Sequence, residues 1–358
     1  MNYVTPKPRE PVKQAMWEGL GTYLQLAAAP IRAWLQNPDV IEISCNGPGG
    51  IWVEAIGLPH MVYHDVPALT ATAIERLATQ IAGVSNQNVN AETPLLSAAM
   101  PHGERFQAVL APTAANGGAF SIRKQVITDM SLDDYRLIGG FNQVRVSGPR
   151  EVDEDFVSDV DRELGSLLDD NTPQGRQAAL VFAVQHRITM LISGGTSTGK
   201  TTFFNALLKE VPVTERIFTI EDTRELKPHQ PNWVPVVASK GGQGMAKVTI
   251  QDCLEVALRM RPDRIFMGEI RGAEAFSFLQ AINTGHPGSM STLHADHPRG
   301  AFERLAMATM QAGLGLTKAE LLDFVRLVVP VVVQIARDPK TGRRGVCEIY
   351  FSKWKGRR

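Results

Sequence analysis

The octapeptide GGTSTGKT at residues 194–201 is the feature that most constrains what this chain can fold into. It matches the pattern G-x-x-x-x-G-K-[ST], in which a glycine-rich loop connects a strand to a helix. The fixed positions of the pattern are filled by Gly194, Gly199, Lys200 and Thr201. A loop of this kind turns successive backbone N–H groups toward an anion and adds the positive end of a helix.

The sequence around this loop has the order that the pattern requires. A short apolar run at 188–192 is typical of a strand, and residues 203–210 are typical of a helix that ends before Val211-Pro212. The alternative is a glycine-rich turn that matches by chance, and the ordered strand and helix argue against it. The chain is therefore predicted to bind a nucleoside triphosphate.

The loop residues have distinct expected tasks. Lys200 is expected to reach the β- and γ-phosphates, and the Thr201 hydroxyl is expected to hold Mg²⁺. ATP and Mg²⁺ are thus the predicted cofactors. The predicted nucleotide-binding residues are Gly194, Gly195, Thr196, Ser197, Thr198, Gly199, Lys200, Thr201 and Thr202.

Composition narrows the class of protein. A chain of 358 residues is long enough for two domains, and its 44% hydrophobic and 21% charged residues are typical of a globular protein. Lys+Arg and Asp+Glu are balanced at 37 each, so overall charge gives no reason to expect nucleic-acid binding. The three cysteines are far apart in sequence, which indicates reduced thiols rather than disulfides or zinc ligands.

Membrane-directed segments are not expected. The first residues, MNYVTPKPREPVK, lack the apolar core of a signal peptide, and no run approaches the roughly 20 apolar residues of a membrane span. The longest apolar candidate, 327–336, contains Pro330 and is predicted to be a buried strand. Any membrane contact is therefore expected to be peripheral.

The chain is predicted to have three parts. Residues 1–127 are predicted to be a mixed α/β domain, with helices at 17–35 and 71–84 and strands at 40–46, 51–55, 106–111 and 119–123. Residues 128–171 are strongly acidic and are interpreted as a solvated linker with short helices, the alternative being an acidic docking surface. From 172 to 358 strands alternate with helices, which predicts a parallel α/β sheet; Thr172 and Pro173 fit the start of its first helix.

Two later strands of this second domain end in acidic residues. Residues 217–220 run into Glu221 and Asp222, and the strand at 264–268 ends at Glu269. Ligands of parallel α/β sheets lie beyond the carboxyl ends of the strands, so these acids are expected to converge on the phosphate loop. The alternative is that they are solvated surface groups of the kind common at strand ends.

Two histidines bracket a Gly/Ser/Thr-rich stretch, TGHPGSMSTLHADH, that follows these strands. A metal site at His286 or His294 would need further ligands at suitable spacing, and the sequence offers none. A sensor of the γ-phosphate is the favoured interpretation, because imidazole and hydroxyl groups can register its loss. A purely structural histidine is the alternative.

Four blocks in this order resemble the secretion ATPase superfamily, specifically the hexameric traffic ATPases of bacterial type IV secretion and conjugation systems. They are a Walker A loop SGGTSTGKTT, an Asp box ERIFTIEDTREL, a Walker B-like block RPDRIFMGEIRG and a His box TGHPGSMSTLHADHP. The N-terminal segments HGERFQAVLAP and FSIRKQ are also similar to this family, so the resemblance covers essentially the whole chain.

The resemblance implies catalytic roles in the second domain. Glu269 is expected to position or activate water, Glu221 and Asp222 to act near Mg²⁺, and His294 to be the sensor. Gly268 stands where a Walker B strand often has an aspartate, so the division of labour between Glu221 and Glu269 stays open.

The resemblance also implies roles for two N-terminal arginines. Arg105 and Arg123 are expected to reach the nucleotide phosphates across the cleft between the domains, where a guanidinium can stabilise transition-state charge. Their own sequence context is equally consistent with surface or ion-pair arginines.

The resemblance finally implies an assembly. It predicts a RecA-like second domain and a homohexamer at the cytoplasmic face of a bacterial inner membrane, energising type IV secretion or conjugative pilus assembly and substrate transfer. Inner-membrane channel components and a second secretion ATPase are the expected partners, without direct nucleic-acid binding. A type IV pilus or type II secretion assembly or retraction ATPase and a nucleotide-gated assembly scaffold remain alternatives, whereas neutral charge disfavours a nucleic-acid translocase.

Overall fold

The computed structural model describes residues 20–58, 60–124, 129–238, 248–313, 315–338 and 341–355, which separate into two units. The described residues up to Lys124 form the first unit, and those from Asp129 onward form the second.

The first unit is an antiparallel sheet with helices. Its elements are α1 (Thr22–Ala28), a 3₁₀ turn (Ala29–Ile31), α2 (Arg32–Gln36), β1 (Val40–Cys45), β2 (Gly49–Ala55), β3 (Val62–Val66), α3 (Ala71–Val84), β4 (Leu95–Ala99), β5 (Arg105–Val109) and β6 (Ala119–Arg123). The strands lie in the order β3-β2-β1-β6-β5-β4. Pro30 interrupts the first helix, as expected, because proline in a helix interior lacks the N–H that the helix needs.

Period-2 alternation explains the core of this unit. Ile43, Ile51 and Ile122 are fully buried, and Phe106 is almost fully buried. The residues beside Phe106 and Ile122 in their strands are more exposed. The buried face packs with the apolar side of α3, whose first turn is capped by Thr70. The opposite face of the sheet carries polar side chains.

The second unit is built on a sheet of eight strands. Its elements are α4 (Leu132–Leu137), β7 (Arg145–Ser147), a 3₁₀ turn (Glu154–Phe156), α5 (Asp159–Asp169), α6 (Pro173–Gln185), β8 (Met190–Gly194), α7 (Lys200–Leu208), β9 (Ile217–Glu221), β10 (Trp233–Val237), α8 (Ile250–Arg259), β11 (Arg264–Met267), α9 (Glu274–Asn283), β12 (Met290–Leu293), α10 (Pro298–Met310), α11 (Lys318–Val328), β13 (Val331–Arg337) and β14 (Arg344–Phe351). The strand order is β10-β9-β11-β12-β8-β13-β14-β7. All neighbours are parallel except the β13–β14 hairpin.

Helices cover both faces of this sheet, which explains why its central strands are buried along their whole length. Met190 and Ile192 of β8 belong to a core shared with α4 to α7, whereas Leu191 points into a core shared with α8 to α11. Because β8, β9, β11 and β12 are parallel, their carboxyl ends lie along one edge of the sheet.

The acidic stretch at 128–171 differs from the linker that its charge suggested. Its described residues form α4, β7 and α5; β7 pairs with β14, and Leu132, Tyr135, Leu164 and Leu168 are buried in the core of the second unit. Asp134 and Asp161 complete capping boxes at the starts of the two helices. The acidic side chains thus occupy caps and outer faces, and the apolar residues between them make this segment part of the folded unit.

The apolar run at 327–336 is divided between two elements. α11 ends at Val328, and the strand expected there begins at Val331 and is buried. Cys45, Cys253 and Cys347 are free thiols, and no helix among the described residues is long and apolar enough to cross a bilayer.

Candidate active site

The phosphate loop lies at the carboxyl end of β8, between that strand and α7. Glycine is required at its start, because a Cβ atom on Gly194 would lie 2.6 Å from the carbonyl oxygen of Ile335. Ser197 and Gly199 adopt left-handed backbone conformations, with φ of 57° and 95°. Such alternations let successive N–H groups turn to the same side of a loop. The local backbone is therefore that of an anion-binding turn.

Lys200 is buried beneath this loop. Its ammonium group donates to the carbonyl oxygens of Gly194 at 2.9 Å and Gly195 at 2.8 Å, and it lies 3.2 Å from Nδ1 of His294. The remaining loop positions vary in exposure. Thr196 is exposed, Thr198 is buried with its hydroxyl on the Gly195 carbonyl, and Thr202 lies in the first turn of α7.

Glu221, the last residue of β9, is held by the chain that follows it. Its Oε1 accepts the backbone N–H groups of Glu225 at 2.7 Å and Leu226 at 2.8 Å, whereas its buried Oε2 has no hydrogen-bond partner among the described residues. Burial raises the pKa of Glu221 to about 7, with the charges of Glu225 and Asp222 adding to the rise against the lowering by the two N–H groups. An unpartnered buried carboxylate oxygen is the kind of atom that a cation would satisfy.

Thr201 faces the same region. Its hydroxyl donates to Oε2 of Glu225 at 2.9 Å, so Glu225 contacts Thr201 and Glu221, two of the three predicted magnesium-site residues. Oxygen donors of this type fit Mg²⁺, which is held by few protein ligands together with phosphates and water. The described residues contain no group of three His, Cys, Asp or Glu side chains that could hold a metal ion.

Arg271 connects the two acidic strand ends. Its guanidinium donates to Oδ2 of Asp222 at 3.0 Å and to Oε2 of Glu269 at 2.7 Å. Burial tends to raise the pKa of Glu269, but the hydrogen bond and charge of Arg271, with the nearby His294 and Lys200, lower that pKa below its usual range. Glu269 is therefore a carboxylate at neutral pH.

His294 follows β12 and completes a continuous row of contacts. Its Nε2 lies 3.2 Å from Oε1 of Glu269, while Nδ1 faces the ammonium of Lys200. Burial and the charge of Lys200 lower the pKa of His294. Because an ammonium group can only donate, the neutral ring accepts at Nδ1 and donates from Nε2 to Glu269. His286, by contrast, bonds the Ala281 carbonyl, outside this row.

Gly268 has a steric role at this edge of the sheet. A Cβ atom there would lie 3.2 Å from Cγ of Glu221, so a larger residue would press on that buried carboxylate. The glycine in place of an aspartate before Glu269 is thus explained by the space that Glu221 occupies.

Three residues of the site were not predicted from the sequence. Arg271 lies two residues after Glu269 and could have been found from its place just beyond a strand end. Glu225 and Arg344 could not have been found in this way, because a loop and a hairpin bring them to the site. Glu225 accepts a hydrogen bond from the hydroxyl of Thr201, and Nε of Arg344 donates to the carbonyl of Ser197 at 2.8 Å.

Arg105 and Arg123 belong to the first unit. They lie directly opposite each other on β5 and β6, on the sheet face away from the buried Phe106 and Ile122. Like charges at opposite positions destabilise a strand pair by themselves. Glu42 is the register partner of Arg123 on the other side, in β1.

The sequence matches known bacterial proteins. Residues 163–349 match the family described as Type II/IV secretion system protein. The chain is 34% identical over 335 residues to the type IV secretion system protein VirB11 of Bartonella henselae, a match that covers 92% of each protein. It is 33% identical over 329 residues to VirB11 of Brucella suis, covering 90% of this chain and 88% of that protein.

The fold matches a solved structure as well. The Legionella pneumophila ATPase DotB is similar with a TM-score of 0.53 and 17% identity, covering 95% of this chain and 81% of that chain. At this identity the likeness concerns the fold alone. The predicted α/β class, with a RecA-like phosphate-loop fold in the second unit, is confirmed.

Proposed function

The chain belongs to the type II/IV secretion system family and is an ATPase, and from this premise we propose that ATP hydrolysis at the phosphate loop drives a type IV secretion machine. The row of contacts from Lys200 through His294 to Glu269 carries the proposal. It places a phosphate-binding cation, a neutral imidazole and an ionised carboxylate side by side at the loop.

Glu269 is the acid that orients the attacking water. It is ionised, it lies beyond the end of β11, and its two oxygens contact only side chains, those of Arg271 and His294. Glu221 is more deeply buried and one of its oxygens is occupied by backbone N–H groups. This difference supports a division of labour in which Glu269 acts on water and Glu221 organises the metal side of the site.

Thr201, Glu221 and Asp222 would hold Mg²⁺ at this edge of the sheet. When bound, the ion would neutralise charge that develops on the phosphates. Lys200 would exchange its contacts with the Gly194 and Gly195 carbonyls for phosphate oxygens, while His294 would keep its Nε2 proton toward Glu269.

Arg105 and Arg123 supply further positive charge to the phosphates. Their directly opposite positions on β5 and β6 support this role, because the two side chains lie together on one face of the sheet of the first unit. The two-part division of the chain supports an N-terminal domain that ends near residue 127, followed by the ATPase domain.

A homohexamer attached peripherally to a bacterial inner membrane is the assembly we propose. The family resemblance and the naming of the VirB11 relatives as type IV secretion system proteins support this assembly. Channel subunits and a second secretion ATPase are its proposed partners. Purification of the tagged chain from detergent-solubilised membranes of its host tests this. Co-purified channel subunits and a native mass of about six chains are expected, whereas a pilin platform protein would redirect the proposal to a pilus motor.

The Glu269→Gln variant tests the chemistry. It preserves size but removes the charge that aligns water and replaces one accepting oxygen by an amide nitrogen, so we expect ATP binding within about threefold of wild type and kcat lower by at least about 100-fold. Glu255→Gln, on the exposed side of α8, is the matched control and keeps wild-type kcat. Wild-type turnover by Glu269→Gln would remove Glu269 from the mechanism.

A further inference from the structure

The β13–β14 hairpin contacts the phosphate loop at two points, at its beginning and at its middle. β13 pairs with β8, so that Ile335 lies beside Gly194 where the loop begins. At the far side of the hairpin, Arg344 reaches the middle of the loop and donates from Nε to the Ser197 carbonyl at 2.8 Å. A segment almost 150 residues away in sequence therefore supports the loop from outside the strand–loop–helix motif.

The aliphatic part of Arg344 crosses a second loop residue. A Cβ atom on Gly199 would lie 3.3 Å from Cδ of Arg344, which places the arginine stem directly over that glycine. Arg344 thus contacts the two loop residues with left-handed backbones, Ser197 and Gly199. The left-handed conformation is unfavourable for a residue with a side chain such as Ser197, and it persists where surrounding contacts fix it.

Arg344 is well placed to give such support because its own strand is fixed. It pairs with Arg337 on β13, and the following residue, Gly345, packs closely on the backbone of Gly140. The N–H group of Val346 donates to the Gly140 carbonyl at 2.9 Å. The guanidinium therefore projects to the loop from a strand held on two sides.

We propose that Arg344 is a positioning residue of the phosphate loop. By holding the Ser197 carbonyl, it keeps the neighbouring backbone N–H groups turned toward the phosphate, so that ATP meets a loop already in its binding conformation. This inference rests on the proposed function in one respect, that the loop binds ATP. The hydrogen bond from Nε, rather than the positive charge, is the active feature.

Two substitutions separate these features. Glutamine places its Nε2 amide where Nε of arginine lies, without charge, whereas methionine places a methyl group there. We expect R344M to weaken the affinity for a fluorescent ATP analogue about tenfold, with kcat at saturating ATP within about threefold of wild type. R344Q should restore affinity to within about threefold. Equal losses in R344M and R344Q, with wild-type affinity in R344K, would assign the effect to charge and overturn the proposal.

Hydrogen exchange of the full-length chain without nucleotide gives a readout independent of ATPase activity. We expect R344M, but not R344Q, to accelerate exchange at residues 195–199 selectively, with residues 264–267 of β11 reporting global opening. Unchanged exchange in the loop, or equal acceleration in both segments, would overturn the positioning role. The K200A variant, which lacks the cation of the phosphate loop, separates the two hypotheses. If K200A loses ATP affinity but R344M leaves exchange at residues 195–199 unchanged, this inference alone is refuted. Wild-type ATP affinity in K200A would instead refute the proposed function.

Discussion

Two charged clusters lie at opposite ends of the same strands in the second unit, and they are built differently. At the start of β9 and β11, Arg264 is fully buried and donates through Nε and both terminal nitrogens, to both oxygens of Glu215 and to the Val184 carbonyl. At the carboxyl ends of the same strands, Glu221 keeps one buried oxygen that bonds to no group in the described part of the chain. One cluster is complete by itself, and the other has capacity left for a ligand.

This difference shows how one sheet separates stability from chemistry. Buried charges are tolerated when every polar group is paired, so the Arg264 cluster can hold β9, β11 and the end of α6 together. At the other end, burial raises the pKa of Glu221, Arg271 lowers that of Glu269 against the effect of burial, and burial with the charge of Lys200 lowers that of His294. Perturbed groups of this kind are characteristic of functional sites.

The largest expected effect is on the complete cluster. R264M removes the buried partner of Glu215 and leaves that carboxylate with only the partly exposed Arg187, so we expect the free energy of unfolding to fall by about 3 kcal/mol. Urea denaturation measures this. R187M is the matched control, because Arg187 also bonds Glu215 but is 41% exposed, and its loss should cost no more than about 1 kcal/mol. Equal effects of the two variants would contradict the distinction between buried and exposed partners.

The next prediction tests the opposite end of the strands. K200A removes the cation at the phosphate loop, so we expect ATP affinity to fall about 100-fold, while the free energy of unfolding changes by less than about 1 kcal/mol. Isothermal titration with ATP and urea denaturation of the same samples measure both quantities. K227A, in the loop after β9, is the control and should leave both unchanged. A K200A variant that unfolds like R264M would show that the two clusters are not functionally separate.

The same contrast explains what the sequence could and could not reveal. The loop at 194–201 and the acids at 221 and 269 could be predicted, because a local motif and the parallel arrangement of strands place them at one sheet edge. The contact of Arg344 with Ser197 spans 147 positions and depends on how a hairpin packs, which no local pattern encodes. The acidic segment at 128–171 was interpreted as a linker for another reason. Charged residues dominate its composition, whereas buried residues such as Leu164 and Leu168 determine where it packs.

The smallest of these effects concerns Arg271, which makes the incomplete cluster sensitive to pH. Glu269 acts as a carboxylate, and the hydrogen bond and charge of Arg271 oppose the burial that would otherwise raise its pKa. In R271M the pKa of Glu269 rises, so the protonated, inactive form persists to higher pH. We expect the acidic limb of the kcat profile to move upward by about one pH unit, so that kcat falls severalfold at the acidic end of the range and changes little at pH 7.

The measurement that checks this is kcat for ATP hydrolysis between pH 5.5 and 9. R271M should regain most of its activity at the alkaline end, because Glu269 ionises there without help. R271K is the charge-retaining control; its single ammonium group cannot bridge Asp222 and Glu269 as the guanidinium does, so its profile should lie between those of R271M and wild type. A loss of kcat that is the same at every pH would mean that Arg271 only holds the strand ends in place. In that case the incomplete cluster would resemble the Arg264 cluster more than its unpaired oxygen suggests.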